Sequence, residues 1–321
     1  MTTEEFFKSL AGKIELTQSE ADKIAKKHNW LREKLCEKLS VEDDFLTGSY
    51  ARNTMIRPKD GEKFDADFFL AFSKQEYGES ELADLLKTVK VALYEIKSGD
   101  SDIEKIDDKQ RRSIGVIYKD NFQIDVVPAV QIEKDKLYKI FDKRTQTAVN
   151  SNPKLHSKNL TDANDATASN LAKRLVPIVK MLKFWKREKC DYLKSFHLEL
   201  LAVETLKDEE ITSYSAGIAK FFNSVDLQSP LTDPANEENI IDTYLDEDGT
   251  RDDLLSLIAD ERKTANEAME LEEKGDDDGA VAKWKKIFEK DGDENKISGS
   301  SPIKTGPVVI NRGPAKPWCS L

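Results

Sequence analysis

The run FDADFFLAF, residues 64–72, constrains this chain more than any other stretch. Its phenylalanine-rich, apolar character predicts a buried strand. Residues two apart on a strand point to the same face, so the Asp65 and Asp67 carboxylates project together. Apolar surroundings penalise bare carboxylates, and two so close resist ionising together unless a cation lies between them. A second apolar run, FQIDVVPAV (122–130), sets Asp125 between Ile124 and Val126, an odd place for a lone carboxylate. Three aspartates from neighbouring strands form a hard oxygen donor set of the kind that suits Mg²⁺ or Mn²⁺. Such a set could hold two ions, one activating an attacking hydroxyl and one steadying a leaving pyrophosphate.

Upstream, the sequence FLTGSYARNT breaks at Gly48-Ser49, seventeen residues before the Asp-x-Asp pair. Glycine lets the backbone approach a ligand closely, and Ser49 with the amides of a starting helix can hydrogen-bond phosphate oxygens. A Gly-Ser followed by Asp-x-Asp on one strand and a third Asp on a later strand is a much stronger signal jointly than any part alone.

Around these motifs the pattern predicts α+β structure. Residues 19–39 read as a long amphipathic helix with Ser19 and Asp22 as a capping pair. A strand follows over 63–72, then a helix over 81–96. The segments RRSIGVIY and FQIDVVPAV bracket the Lys119-Asp120-Asn121 turn as a hairpin. This order suggests a mixed sheet with helices on one side. Beyond residue 150 the texture is helical, with a helix over 165–188 that Pro177 should kink or restart. Another helix is predicted over 195–206, and two more follow. The pattern divides the chain into a core at 1–150 with an N-terminal spanning helix, a helical lobe at 151–296 and a flexible tail at 297–321.

The formal net charge is −11, concentrated in residues 231–294, which hold 22 acidic against 8 basic side chains. A chain without a basic face is a poor match for long nucleic acid. The three cysteines form no CxxC pair, and the three histidines give no zinc spacing. No stretch approaches the ~18 apolar residues of a membrane span, and MTTEEFF lacks a signal-peptide layout. A soluble, cytoplasmic protein is expected, with no membrane contact.

The motifs resemble those of the polymerase-β-like nucleotidyltransferase superfamily, and within it the cyclic-oligonucleotide synthases. These include bacterial CD-NTases of anti-phage (CBASS) operons, animal cyclic GMP–AMP synthase and oligoadenylate synthase. GSYARNTMIRP…FDADFFLAF matches the Gly-Ser and Asp-x-Asp blocks, and FQIDVVPAV the third-aspartate strand. LVPIVKMLKFWKRE, SFHLELLA, LTDPANEENI and EKGDDDGAVAKWKKIF match blocks of the second lobe. The resemblance spans about residues 40–290 and implies a palm plus a helical lobe, with the active site in the cleft between them. It implies that Asp65 and Asp67 bind both metal ions, while Asp125 binds the catalytic ion and draws the proton from the attacking ribose hydroxyl. It further implies that Gly48, Ser49, Lys183 and Ser195 hold the donor triphosphate and that Phe196 stacks on a base. The implied activity is condensation of ATP or other nucleoside triphosphates into a cyclic di- or trinucleotide second messenger, with release of pyrophosphate. Linear oligonucleotide synthesis, or nucleotide transfer to protein or RNA, is the alternative on the same fold. Nothing here matches the zinc insertion by which the animal enzyme touches DNA. Protein regulators, and machinery that conjugates the C-terminus, are the partners implied.

Overall fold

The computed structural model describes residues 1–78 and 81–289; the tail expected at 297–321 lies outside them. Two helices open the chain, α1 (Thr3–Ile14) and α2 (Gln18–Cys36), started by the same device. Thr2 and Thr17 each accept a backbone N–H three residues on, and Glu5 and Glu20 reach back to the cap N–H. The cap of α2 is therefore Thr17 with Glu20, not the Ser19–Asp22 pair expected. Then come β1 (Asp43–Thr47), the single turn α3 (Gly48–Ala51), β2 (Phe64–Ser73) and α4 (Leu82–Ser98). Five further strands follow: β3 (Ile103–Asp107), β4 (Ile114–Tyr118), β5 (Phe122–Glu133), β6 (Leu137–Asp142) and β7 (Thr147–Ser151).

These strands make one mixed sheet of order β1-β2-β5-β4-β3, with β6 also pairing β5 and β7. Parallel pairing of β2 with β5 is possible because α4, β3 and β4 intervene as the crossover. Each face of β2 has its own burial partners. Ala66, Phe68, Leu70 and Phe72 join Ile24, Leu31 and Leu35 of α2 and Leu85, Val89 and Leu93 of α4 in the larger core. On the opposite face Phe69 and Ala71 pack with Ala129, Tyr138 and Ile140 in a smaller cluster. This double burial explains the unbroken apolar run, and the period of two puts Asp65 and Asp67 on the face away from α2 and α4.

The helical part comprises α5 (Pro153–Ala166), α6 (Leu175–Lys189), α7 (Ser195–Leu206) and α8 (Tyr214–Ser224). A short hairpin, β8 (Thr232–Asp233) with β9 (Asn236–Ile240), precedes α9 (Thr243–Glu247), α10 (Arg251–Glu273) and α11 (Asp277–Phe288). The single helix expected over 165–188 is thus two elements. Asn170 and Leu171 both take left-handed backbone angles, which no helix tolerates, and Pro177 falls in the first turn of α6, where its missing N–H costs nothing.

The chain forms two compact units. Among the described residues, one is Leu16–Lys158 with Pro234–Asn236; the other takes Met1–Glu15, Asn159–Asp233 and residues 237–289. The first fifteen residues therefore group with the helices rather than with the sheet. Phe7 of α1 supplies the reason: its ring meets Trp284 and Phe288 edge-on at 5.2 and 6.0 Å. Among the described residues no helix is long and apolar enough to cross a membrane.

Candidate active site

Strand register assembles the site in the sheet unit. Thr47 pairs with Asp67, Asp67 with Asp125, Asp125 with Gly115, and Gly115 with Asp107. One row across five strands therefore carries three carboxylates on a single face, and Asp65 stands two residues from Asp67 on that same face. The β2–β5 pairing thus joins the Asp-x-Asp motif to the third aspartate.

The carboxylates strain against one another. Crowding by protein atoms, then the Asp125 charge, then the Asp67 charge push the Asp65 carboxyl up to about 8. Asp65 nevertheless keeps solvent access, so the repulsion of its two neighbours is the part of this rise that matters chemically. Asp125 is 8% exposed and its carboxyl is also raised, by burial above all and by the charge of Asp107. Two neutral amides work the other way: Gln110 Nε2 donates to Asp125 Oδ1 at 2.9 Å and Gln123 Nε2 donates to it at 2.8 Å. Gln123 was legible in principle, because it lies two residues before Asp125 on one strand. Gln110 comes from the β3–β4 loop, and no sequence signal marks it.

Gly48 is held against this cluster. Its φ is +67°, and a Cβ built there would fall 1.7 Å from Asp67 Oδ2. Only glycine lets the β1–α3 turn pass so close to the carboxylate. Ser49 follows, half-buried, and its carbonyl accepts the Thr54 and Met55 N–H groups at 2.8 and 3.1 Å. Tyr50 anchors the turn by donating its hydroxyl to the Ala21 carbonyl at 3.2 Å.

The remaining residues named from the sequence lie in the helical unit. Lys183 of α6 is 5% exposed and sits 2.8 Å from Glu199 of α7, itself 2% exposed. Ser195 opens α7 and is exposed; Phe196 beside it is half-buried. Next to them His197 Nδ1 meets the Tyr244 hydroxyl at 2.9 Å, and that hydroxyl also accepts the Lys194 N–H at 2.9 Å. The Lys194 ammonium lies 3.7 Å from the centre of the Tyr244 ring. Tyr244 therefore braces the start of α7, a role the sequence did not suggest.

The donor set fits a hard divalent cation. All three side chains offer carboxylate oxygen, and the mutual repulsion that lifts Asp65 is relieved by positive charge. As the side chains stand, no three His, Cys, Asp or Glu among the described residues already converge as a coordination shell. One oxygen of Asp125 faces the two glutamines instead.

A carboxylate row on a mixed sheet, closed at one end by a Gly-Ser turn, defines a nucleotidyltransferase palm. Residues 1–164 match the Second Messenger Oligonucleotide or Dinucleotide Synthetase domain family (SMODS), and the chain belongs to it. It is an enzyme of the bacterial CD-NTase kind, which condenses nucleoside triphosphates into cyclic di- or trinucleotide messengers, as the motifs implied. A cyclic AMP-AMP-AMP synthase from an Acinetobacter species is 28% identical over 312 residues, covering 90% of this chain and 84% of that one. The Escherichia coli MS115-1 CdnC structure, solved with HORMA-deltaN, superposes with a TM-score of 0.70 at 19% identity, covering 90% of this chain and 97% of CdnC. The Vibrio cholerae cyclic AMP-GMP synthase DncV, solved with the linear intermediate 5′ pppA(3′,5′)pG, also gives 0.70, at 12% identity over 92% and 96% of the two chains. At these identities the solved structures establish the shared α+β fold.

Proposed function

We propose that this enzyme uses ATP, alone or with other nucleoside triphosphates, and that Asp65, Asp67 and Asp125 are its catalytic carboxylates. The observation that carries the reading is the register pairing of Asp67 with Asp125, with Gly48 packed against Asp67. The name of the Acinetobacter relative favours ATP and a three-membered ring. In each condensation a ribose hydroxyl oxygen bonds to an α-phosphorus, the bond from that phosphorus to pyrophosphate breaks, and Asp125 takes the hydroxyl proton. Bound Mg²⁺ or Mn²⁺, two ions held by Asp65, Asp67 and Asp125, would acidify the hydroxyl and neutralise the leaving pyrophosphate. Gly48 and Ser49 bring backbone and hydroxyl donors to the triphosphate. In the helical unit Lys183, Ser195 and Phe196 are the proposed nucleotide contacts. The setting we propose is cytoplasmic anti-phage signalling; CdnC solved with a HORMA protein favours a protein regulator here too.

The test is incubation with labelled ATP and Mg²⁺ or Mn²⁺, followed by phosphatase treatment and mass spectrometry. A phosphatase-resistant cyclic product is expected, and Asp65→Asn or Asp67→Asn should abolish it. Full activity in the double variant overturns the assignment.

A further inference from the structure

Gln110 occupies a gap in the carboxylate row. In that row Gly115 separates Asp125 from a fourth carboxylate, Asp107. A Cβ at Gly115 would meet Gln110 Nε2 at 3.2 Å, Asp125 Oδ1 at 3.3 Å and the Asp107 Cβ at 3.5 Å. The amide of Gln110 thus lies over the one residue of the row that has no side chain. Its orientation is set: Ser113 Oγ donates to Gln110 Oε1 at 2.5 Å, which leaves Nε2 to donate to Asp125. The loop carrying both residues is pinned in turn. Arg111 and Arg112 each donate Nε to the fully buried Asp142 at 2.9 Å, and Lys143 Nζ donates to the Asp108 and Ser113 carbonyls at 2.6 and 2.9 Å.

We propose that Gln110 is a positioning residue for Asp125, held in place by Ser113 and by the Asp142-anchored β3–β4 loop, and that it aims this carboxylate at the catalytic cation. The proposal rests on the assignment of Asp125 as a metal-binding catalytic carboxylate. The chemistry of the donor matters. A neutral amide fixes the carboxylate by a hydrogen bond while leaving its full negative charge for a cation, whereas a lysine or arginine in the same gap would compete with that cation. Gln123, donating to the same oxygen from within β5, completes a clamp of two amides. Gly115 leaves the room, Gln110 fills it, and Asp125 is turned by the amide that does so.

The experiment compares the wild-type chain with Gln110→Ala, Ser113→Ala and Asp125→Asn. Three quantities are measured: Mn²⁺ binding by calorimetry without nucleotide, kcat and KM for ATP, and the thermal midpoint. For Gln110→Ala we expect Mn²⁺ affinity and kcat each to fall about tenfold, the usual size of an outer-sphere effect, with KM within about twofold. Ser113→Ala, which frees the amide to flip, should move both quantities the same way by less than Gln110→Ala does. Wild-type Mn²⁺ affinity and kcat in Gln110→Ala, with both lost in Asp125→Asn, overturn the proposal and leave the Asp125 assignment standing. Unchanged binding and turnover in Asp125→Asn overturn both. Should Gln110→Ala unfold, Ser113→Ala decides: its loss of both quantities supports the proposal, and wild-type values reject it.

Discussion

Replacing Gly48 by alanine tests whether the turn after β1 and the aspartate of β2 are one mechanical unit. Two costs arise. The backbone at φ +67° is left-handed, which costs an L-residue about 1–2 kcal/mol. The new methyl would lie 1.7 Å from Asp67 Oδ2 and 2.6 Å from its Cγ, well inside contact distance, so the Asp67 side chain must leave its rotamer. A distorted side-chain torsion adds about 0.5–1.5 kcal/mol. The sum, about 1.5–3.5 kcal/mol, corresponds to a fall in melting temperature of roughly 3–14 °C. Gly61→Ala in the same unit isolates the first cost, since Gly61 has φ +87° but no atom within 4 Å of where its Cβ would stand. It should lose only the backbone share, about 1–2 kcal/mol. Turnover should separate the two more sharply: a catalytic carboxylate displaced by an ångström costs about 100-fold, so Gly48→Ala should be nearly inactive and Gly61→Ala normal. Calorimetric melting and the labelled-ATP assay read both. Equal melting temperatures and equal turnover in the two variants would refute the reasoning.

Two further outcomes follow from the helices. Lys183→Met removes a cation in direct contact with buried Glu199 and should cost about 3–5 kcal/mol by urea unfolding, while Lys183→Met with Glu199→Met should recover most of it; a single variant as stable as wild type would sink this account. His28 and His197 are 6% and 1% exposed, and burial, reinforced at His28 by Arg32 and at His197 by Arg251 and Lys194, pushes both down to about 4. Each folded-state value lies below the unfolded value of about 6.5, so the unfolded chain binds more protons between those limits and stability falls as pH drops from about 6.5 to 4. The loss reaches at most about 3 kcal/mol per imidazole, and His28→Gln should flatten the urea-midpoint profile over that window; an unchanged profile would exclude the buried neutral imidazole.

Local chemistry made much of this chain readable. The β2 strand, the β4–β5 hairpin, α4 and α7 are announced by side-chain periodicity, because a strand or helix must bury one face whatever its partner. Elements without such a face, or with a short one, escaped. The edge strand β1 is five residues long, β6 (LYKIFD) alternates in burial but not in polarity, and β7 (TAVNS) buries no residue fully. Helix α1 is amphipathic, but an apolar stripe does not say what it will pack against; only its contact with Trp284 and Phe288 assigns it to the helical unit.

The amino-acid order alone set which residues could do the chemistry. Asp65 and Asp67 share a face through the two-residue period of a strand, and Gly48-Ser49 marks the turn that precedes them. Pairing decided the rest. That Asp125 lies beside Asp67, that Gly115 opens a gap for Gln110, and that Asp107 ends the row all depend on register between strands distant along the chain. Register is a property of two chains of backbone hydrogen bonds meeting, and no single strand carries that information in its own sequence.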